Sequence, residues 1–168
     1  MPGERALVTV LAVTQQLRTA RFDELDASTL YELLRLRAEV FVVEQDCAFL
    51  DLDGCDREPT TIHVWIEGDG RVLGYARVVP GCSATEIGRL VTRLDRRGTG
   101  IGACVLREAM NLVDGPLQVK AQARLVEWYE SFGFEGVGQP FMEDGIPHVP
   151  MRLERERLRT QAQTSRDA

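Results

Sequence analysis

Residues 96–106 read RRGTGIGACVL: two arginines, glycines at three alternate positions, then the first turns of an amphipathic helix. The run before it, TEIGRLVT (85–92), reads as a strand. A glycine inside a helix costs up to ~1 kcal/mol against alanine, so three of them near a helix start need a return. What glycine offers is close backbone approach and access to positive φ. The first N–H groups of a helix have no acceptor within it, and the helix dipole adds partial positive charge there. With Arg96 and Arg97 alongside, such a turn is suited to an anion, above all a phosphate or pyrophosphate. The run has no Gly-Lys-Ser/Thr, so it is not a P-loop. Gly98 to Ala103 does fit the G-x-G-x-x-A of dinucleotide-binding units. In those units the glycines follow the strand at once and an acid ends the next strand. Here residues 93–97 intervene and the next strand ends in Ala123-Arg124, which sets that reading last.

The rest of the chain supplies the setting. DASTLYELLRLRAEVFVVEQ (26–45) predicts a first helix, with Thr29 and Glu32 as a capping box. Leu30, Leu33, Leu34, Ala38 and Phe41 recur along it at helical spacing. An acidic loop follows (46–59), then a hairpin over 61–79 turning at Gly68-Asp69-Gly70. Ile101, Val105, Leu106, Ala109, Leu112 and Val113 mark one face of the helix after the glycine turn. A strand (117–123), a short helix (124–132) and two closing strands (133–137 and 147–153) complete the pattern. A leading helix followed by ββ-β-α-β-α-ββ predicts an α/β or α+β fold on a mixed sheet. The expected division is an N-terminal extension (1–16), one domain (17–153) and a polar tail (154–168) that frays into solvent. ALVTVLAV (6–13) is expected to be a first strand or part of a loose extension; no A-x-A site follows it as in a signal peptide.

Composition narrows the function. The chain has 168 residues, 44% hydrophobic and 27% charged, enough for one domain with a core. A formal net charge of −6 argues against nucleic acid as a partner. No apolar run approaches the ~20 residues of a membrane span, so no membrane association is expected. Cys47, Cys55, Cys82 and Cys104 have neither C-x-x-C nor zinc-ligand spacing. They read as free thiols in a reducing, cytoplasmic setting. Asp51, Asp53 and Asp56 look like half a calcium loop, but position twelve is Ile62 where that loop needs glutamate, and no metal is expected.

Parsed as R-x-x-G-x-G, Arg97, Gly100 and Gly102 resemble the acyl-CoA pyrophosphate loop of the GNAT superfamily of N-acetyltransferases. EWYESFGF (127–134) is similar to that superfamily's second signature, with Tyr129 where its usual general acid stands. LRAEVFVVEQ (36–45), DLDGCD (51–56), IGRLV (87–91), AQARL (121–125) and EDGIPHVPM (143–151) together resemble the ElaA-like subgroup. The resemblance runs over roughly residues 28–153.

It implies a mixed, mostly antiparallel central sheet flanked by helices, and acetyl transfer from acetyl-CoA to a primary amine by direct attack. On that resemblance, Leu90, Val91 and Thr92 would pair with the pantetheine arm, and a backbone N–H there would polarise the acetyl carbonyl. The backbone N–H groups of Gly98, Gly100, Ile101 and Gly102 would hold the pyrophosphate, with Arg97 and Thr99 beside it and Arg96 as a further candidate. Tyr129 would protonate the departing thiolate. The attacking amine must lose a proton, and Glu44, Glu86, His148 and His63 are the candidate bases, with Glu44 and His148 first. Glu44, Asp46, Asp51, Asp53 and Asp56 form either a solvated acidic loop or a field that draws in a cationic amine. Arg89 is unusual inside a central strand; it either meets a buried carboxylate or reaches substrate. Gln122 flanks the expected thioester site.

Two other functions compete. Arg37-Ala-Glu-Val-Phe41 resembles the R-x-x-V-F of acyl-homoserine-lactone synthases, but the tryptophan expected soon after Phe41 is absent. A non-catalytic CoA-binding protein is the other, and intact Tyr129 argues against it. An exposed edge of a mixed sheet would permit a homodimer.

Overall fold

The computed structural model describes residues 15–155. In chain order the elements are β1 (Gln16–Ala20), α1 (Ala27–Arg37) running on into a π-helical stretch (Ala38–Glu44), β2 (Ile62–Gly68), β3 (Arg71–Val79) and β4 (Thr85–Thr92). Then come α2 (Ile101–Asn111), β5 (Leu117–Gln122), α3 (Val126–Glu130), β6 (Glu135–Gly136), β7 (Phe141–Glu143) and β8 (Ile146–Leu153). The strands form one open sheet in the order β1-β2-β3-β4-β5-β8-β6, with β7 also on β8. Every pairing is antiparallel except β4 with β5. This is the mixed α/β class expected.

Alternation along the strands supplies both faces of the sheet with apolar side chains. Val64, Ile66, Leu73, Ala76 and Val78 join Ile101, Val105, Leu106 and Ala109 of α2 and Tyr129 of α3 in one core. Trp65, Val72, Tyr75 and Val91 join Leu33, Leu36 and Val40 in another. So α1 covers one face and α2 with α3 the other, which is why β3 is buried from Val72 to Val78.

Local chemistry explains the differences from expectation. The N-cap of α1 is Asp26, whose Oδ1 accepts from the Ser28 and Thr29 N–H groups at 2.9 Å each. Thr29 donates its hydroxyl to Asp26 Oδ2 instead of capping, so the capping box placed at Thr29 is corrected. β1 begins at Gln16, inside the stretch assigned to the extension, and β7 lies between the two closing strands, where no element was expected. The expected strand at 6–13 and the tail past Arg155 lie outside the described residues. The hairpin turns at Asp69 and Gly70, both at positive φ, as expected of a tight turn.

Two features of β4 shape the space beside it. It pairs with β5 only at Thr85↔Leu117 and Glu86↔Gln118, and beyond those pairs the strands part. Against β3, Arg77 faces Gly88 and Tyr75 faces Val91, so β4 carries one extra residue. That bulge holds Arg89 at φ 53, a left-handed conformation. The helix after it sits close to the sheet. A Cβ on Gly74 would come 2.5 Å from Ile101 Cγ2, and one on Gly102 would come 2.9 Å from Thr92 Oγ1.

Candidate active site

Where β4 and β5 part, a cleft of about 770 Å³ opens. Leu90, Val91 and Thr92 form one wall, just past the bulge. Gly98, Gly100, Ile101 and Gly102 close one end, with Arg96 and Arg97. Gly98 and Gly100 have φ of 74° and 88°, and Gly100 is the N-cap of α2 with no side chain capping the helix. Open space lies where a Cβ on either would project. Arg96 Nε is buried without a hydrogen-bond acceptor, 3.7 Å from Asp95. An uncapped helix start, two glycines turned to positive φ and an unsatisfied guanidinium N–H are the donor set a pyrophosphate needs. Thr99 lies just off the cleft lining and ties the turn by donating to Arg96 O at 2.6 Å.

Arg97 is already engaged. It donates from Nη1 and Nη2 to the two carboxylate oxygens of Glu44, at 2.8 and 2.7 Å. Glu44 therefore stands at the glycine-loop end, outside the cleft lining, and not on the substrate side where a base for the amine was expected. Its neighbour Gln45 does line it, accepting from Gln122 Nε2 at 3.1 Å across the gap from the end of β5.

Tyr129 on α3 reaches the cleft from the side of the sheet that carries α2. It is 6% exposed, edge-on to Trp128 and Phe134, and burial pushes its phenol up to about 12. The other half of the cleft is polar. Glu86 from β4 and Lys120 and Gln122 from β5 line it with His148 from β8 and Glu143 from β7. Lys120 donates to Glu143 at 2.7 Å, and this bond, with the charges of Glu143 and Glu86, outweighs desolvation and raises the ammonium's pKa. Glu86 is half-buried and has no ion pair among the described residues within 4.0 Å. The His148 ring stacks on Phe141, and its Nδ1 lies 2.9 Å from Ile146 O. A carbonyl only accepts, so Nδ1 carries the hydrogen and Nε2 is left as the acceptor of neutral His148.

His63 is corrected: it does not face the cleft. It is 1% exposed, donating from Nε2 to Asp56 O at 3.1 Å and accepting from the Tyr75 hydroxyl at Nδ1, 2.8 Å. The acidic loop is likewise not a free field of charge. Asp51 accepts from Arg37 Nε and Arg89 Nε at 2.8 and 2.7 Å. Asp53 accepts from Arg77 at 2.7 and 2.6 Å, and Asp56 from Arg37 and Arg77 at 2.7 and 3.0 Å. Arg89 meets a buried carboxylate, the first of its two alternatives, and it also lines the cleft. This cage fixes the loop so that Cys47, Phe49 and Leu50 roof the cleft, with Cys47 donating to Asp144 O at 3.3 Å. Lys120 was missed in the sequence, although LQVKAQ places it on the same strand face as Gln122.

The family model for the acetyltransferase (GNAT) domain matches residues 52–155. The UPF0039 protein Rv2851c of Mycobacterium tuberculosis is 45% identical over 145 residues, 83% of this chain and 93% of that protein. Protein ElaA of Escherichia coli is 37% identical over 139 residues, 78% of this chain and 91% of ElaA. The crystal structure of Escherichia coli ElaA matches with a TM-score of 0.79 at 33% identity, over 84% of this chain and 100% of its own. An acyl-CoA N-acyltransferase from Pseudomonas aeruginosa matches with a TM-score of 0.80 at 34% identity, over 83% and 99%. At that identity and coverage, the chain belongs to the GNAT acetyltransferase family, in the group that includes ElaA and the UPF0039 proteins.

Proposed function

We propose that the protein moves an acetyl group from acetyl-CoA to a primary amine of a small molecule or peptide. The observation that carries this reading is the parted β4–β5 pair, running from the uncapped start of α2 past Tyr129 to a polar chamber. Acetyl-CoA supplies an acetyl group activated as a thioester. The α2 start with Gly98, Gly100, Ile101 and Gly102 would hold its pyrophosphate, and Leu90 to Thr92 its pantetheine arm. A backbone N–H beyond the bulge polarises the carbonyl under attack.

The acceptor side divides its work between two residues. Glu86, a carboxylate without an ion pair among the described residues, attracts the amine as its ammonium. His148 Nε2 takes the proton, directly or through a water, so that the neutral amine attacks. Glu44, on Arg97, serves the phosphate end. A cationic acceptor remains the favoured class, on the strength of Glu86 and not of the acidic loop.

Titration calorimetry with acetyl-CoA, with NADH as control, is the first test. Micromolar acetyl-CoA binding followed by amine-dependent release of CoA thiol supports the reading. Absence of acetyl-CoA binding overturns it, and binding without turnover on any amine favours a non-catalytic CoA-binding protein. On an amine that turns over, Glu86→Gln raises KM for the amine about tenfold with kcat little changed, whereas His148→Gln lowers kcat with KM for the amine little changed. The opposite split would exchange the two roles.

A further inference from the structure

Arg89 is one of four non-glycine residues at positive φ among those described, and the other three, Asp46, Asp69 and Asp144, are aspartates. Aspartate tolerates this conformation; a long side chain without a local hydrogen-bonding group does so at a cost that its surroundings must cover. Arg89 also sits at the extra residue of β4, next to Leu90 in the cleft wall. Its side chain is tied to the acidic loop through Nε and Nη2, while Nη1 has no hydrogen-bond partner among the described residues and the side chain also borders the cleft. Nε donates to Asp51 Oδ1 at 2.7 Å, Nη2 to Asp51 O and to Asp53 Oδ2 at 3.2 Å each, and the guanidinium lies over the Phe49 ring. Asp51 is 8% exposed and is gripped from its other side by Arg37 of α1, which donates to Oδ2 at 2.8 Å and to the carbonyl at 3.0 Å. A chain of charge-assisted bonds therefore runs from α1 through Asp51 to the bulge.

We infer that Arg89 is a positioning residue: its pair with Asp51 holds the β4 bulge in the left-handed conformation that turns the N–H of Leu90 away from β3 and toward the cleft, while that of Val91 stays in the ladder with Tyr75. This rests on the acetyl-transfer reading only for its kinetic consequence; the conformational claim concerns the protein alone. The loop thus has a second task besides roofing the cleft, and one end of the oxyanion site is set by a carboxylate 38 residues away in the chain.

The side chain and the backbone can be separated, because glycine adopts φ 53 without help and alanine does not. Arg89→Ala should lower kcat about 100-fold with KM for the amine within threefold. Arg89→Gly should recover at least tenfold of that loss. In both variants Asp51 keeps Arg37, so no buried carboxylate is orphaned and the fold should persist. Asp51→Asn should reproduce the Arg89→Ala loss; if it does not fold, the alanine and glycine pair decides alone. Amide hydrogen exchange at Val91, which the ladder with Tyr75 protects, measured on protein without substrate, should be faster in Arg89→Ala and near wild type in Arg89→Gly. That arm decides the inference even where the wild type acetylates none of the amines tried. Equal impairment of the alanine and glycine variants with a raised KM for the amine would make Arg89 a substrate contact and overturn the proposal. So would unchanged exchange and unchanged kcat in Arg89→Ala.

Discussion

A phenol that burial holds at about 12 is protonated throughout the neutral range. Tyr129 is therefore always a donor, but a reluctant acid. It can pass its proton to a thiolate whose acid lies near ~8.5 only against the equilibrium. In the proposed transfer it would serve as a hydrogen-bond donor whose bond strengthens while charge builds on the departing sulfur. Tyr129→Phe keeps the edge contacts with Trp128 and Phe134 and removes only the hydroxyl. The expected result is a 10- to 100-fold loss in kcat, as for one lost oxyanion donor or somewhat less, with acetyl-CoA affinity within threefold. Equal loss in both parameters would mean that the ring builds the site and the hydroxyl does not act. Glu44 gives a second single-residue effect. Its pair with Arg97 is about a third exposed on both sides, so it is worth under ~1 kcal/mol. Glu44→Gln frees Arg97 for phosphate and should tighten acetyl-CoA binding by up to about fivefold in calorimetry; weaker binding would show that Glu44 orders the loop.

At the scale of elements, the strand–glycine–helix unit makes the strictest demand. Gly100 has φ 88 as the N-cap of α2, where an aspartate would bring a side chain and a negative charge to the proposed anion site. Gly100→Asp should abolish acetyl-CoA binding while the circular dichroism spectrum stays near wild type; unchanged affinity would move the phosphate site elsewhere. This unit was legible because its signals are local: TEIGRLVT reads as a strand of the same bounds as β4, and the helical face begins at Ile101 as α2 does. The π-helical turn over Ala38–Glu44 was not legible, because its sequence continues an ordinary helical pattern and only the tertiary setting widens it. The same holds for the bulge. Nothing in IGRLV marks an extra residue except an arginine in an apolar strand, and its reason lies in Asp51 and Asp53, far off in the chain. β7 escaped notice because Phe141–Glu143 is three residues long and is defined by its partner Pro147 rather than by its own pattern. The site was legible to the same degree: residues of the glycine loop, Tyr129 and His148 converge on the cleft, while Glu44 and His63 are bound elsewhere by partners that only the fold brings near.

For the whole molecule, the cage that joins α1, β2, β3, β4 and the acidic loop makes stability depend on acid in two steps. Burial lowers the pKa of His63, and the charges of Arg37 and Arg77 add to it, against the opposing pull of Asp56. A histidine depressed in the folded state takes its proton more readily when unfolded. Its contribution is complete above its ordinary value near 6.5 and is lost as pH falls below it. Burial raises the carboxyls of Asp53 and Asp56, but Arg77 and, for Asp56, Arg37 first, outweigh it, leaving Asp56 lowered and Asp53 at about 2. Their contribution is complete above the ordinary carboxylate value near 4 and is lost as pH falls through about 2. Denaturant unfolding measured from pH 8 to pH 3 should therefore show a first decline beginning below about 6.5, with a limiting slope of ~1.4 kcal/mol per pH unit for one proton. A steeper decline should set in below about 4. His63→Gln should be less stable at pH 8, because the Tyr75 hydroxyl and Asp56 carbonyl lose a well-fitted partner, but flat between 6.5 and 5. A decline in that window persisting in the variant would assign the first step to some other group and leave His63 a packing residue. Because Arg89 belongs to the same cage, the second step should also reach the site: as Asp53 loses its charge, the bulge loses one of the carboxylates that anchor it, together with the fold.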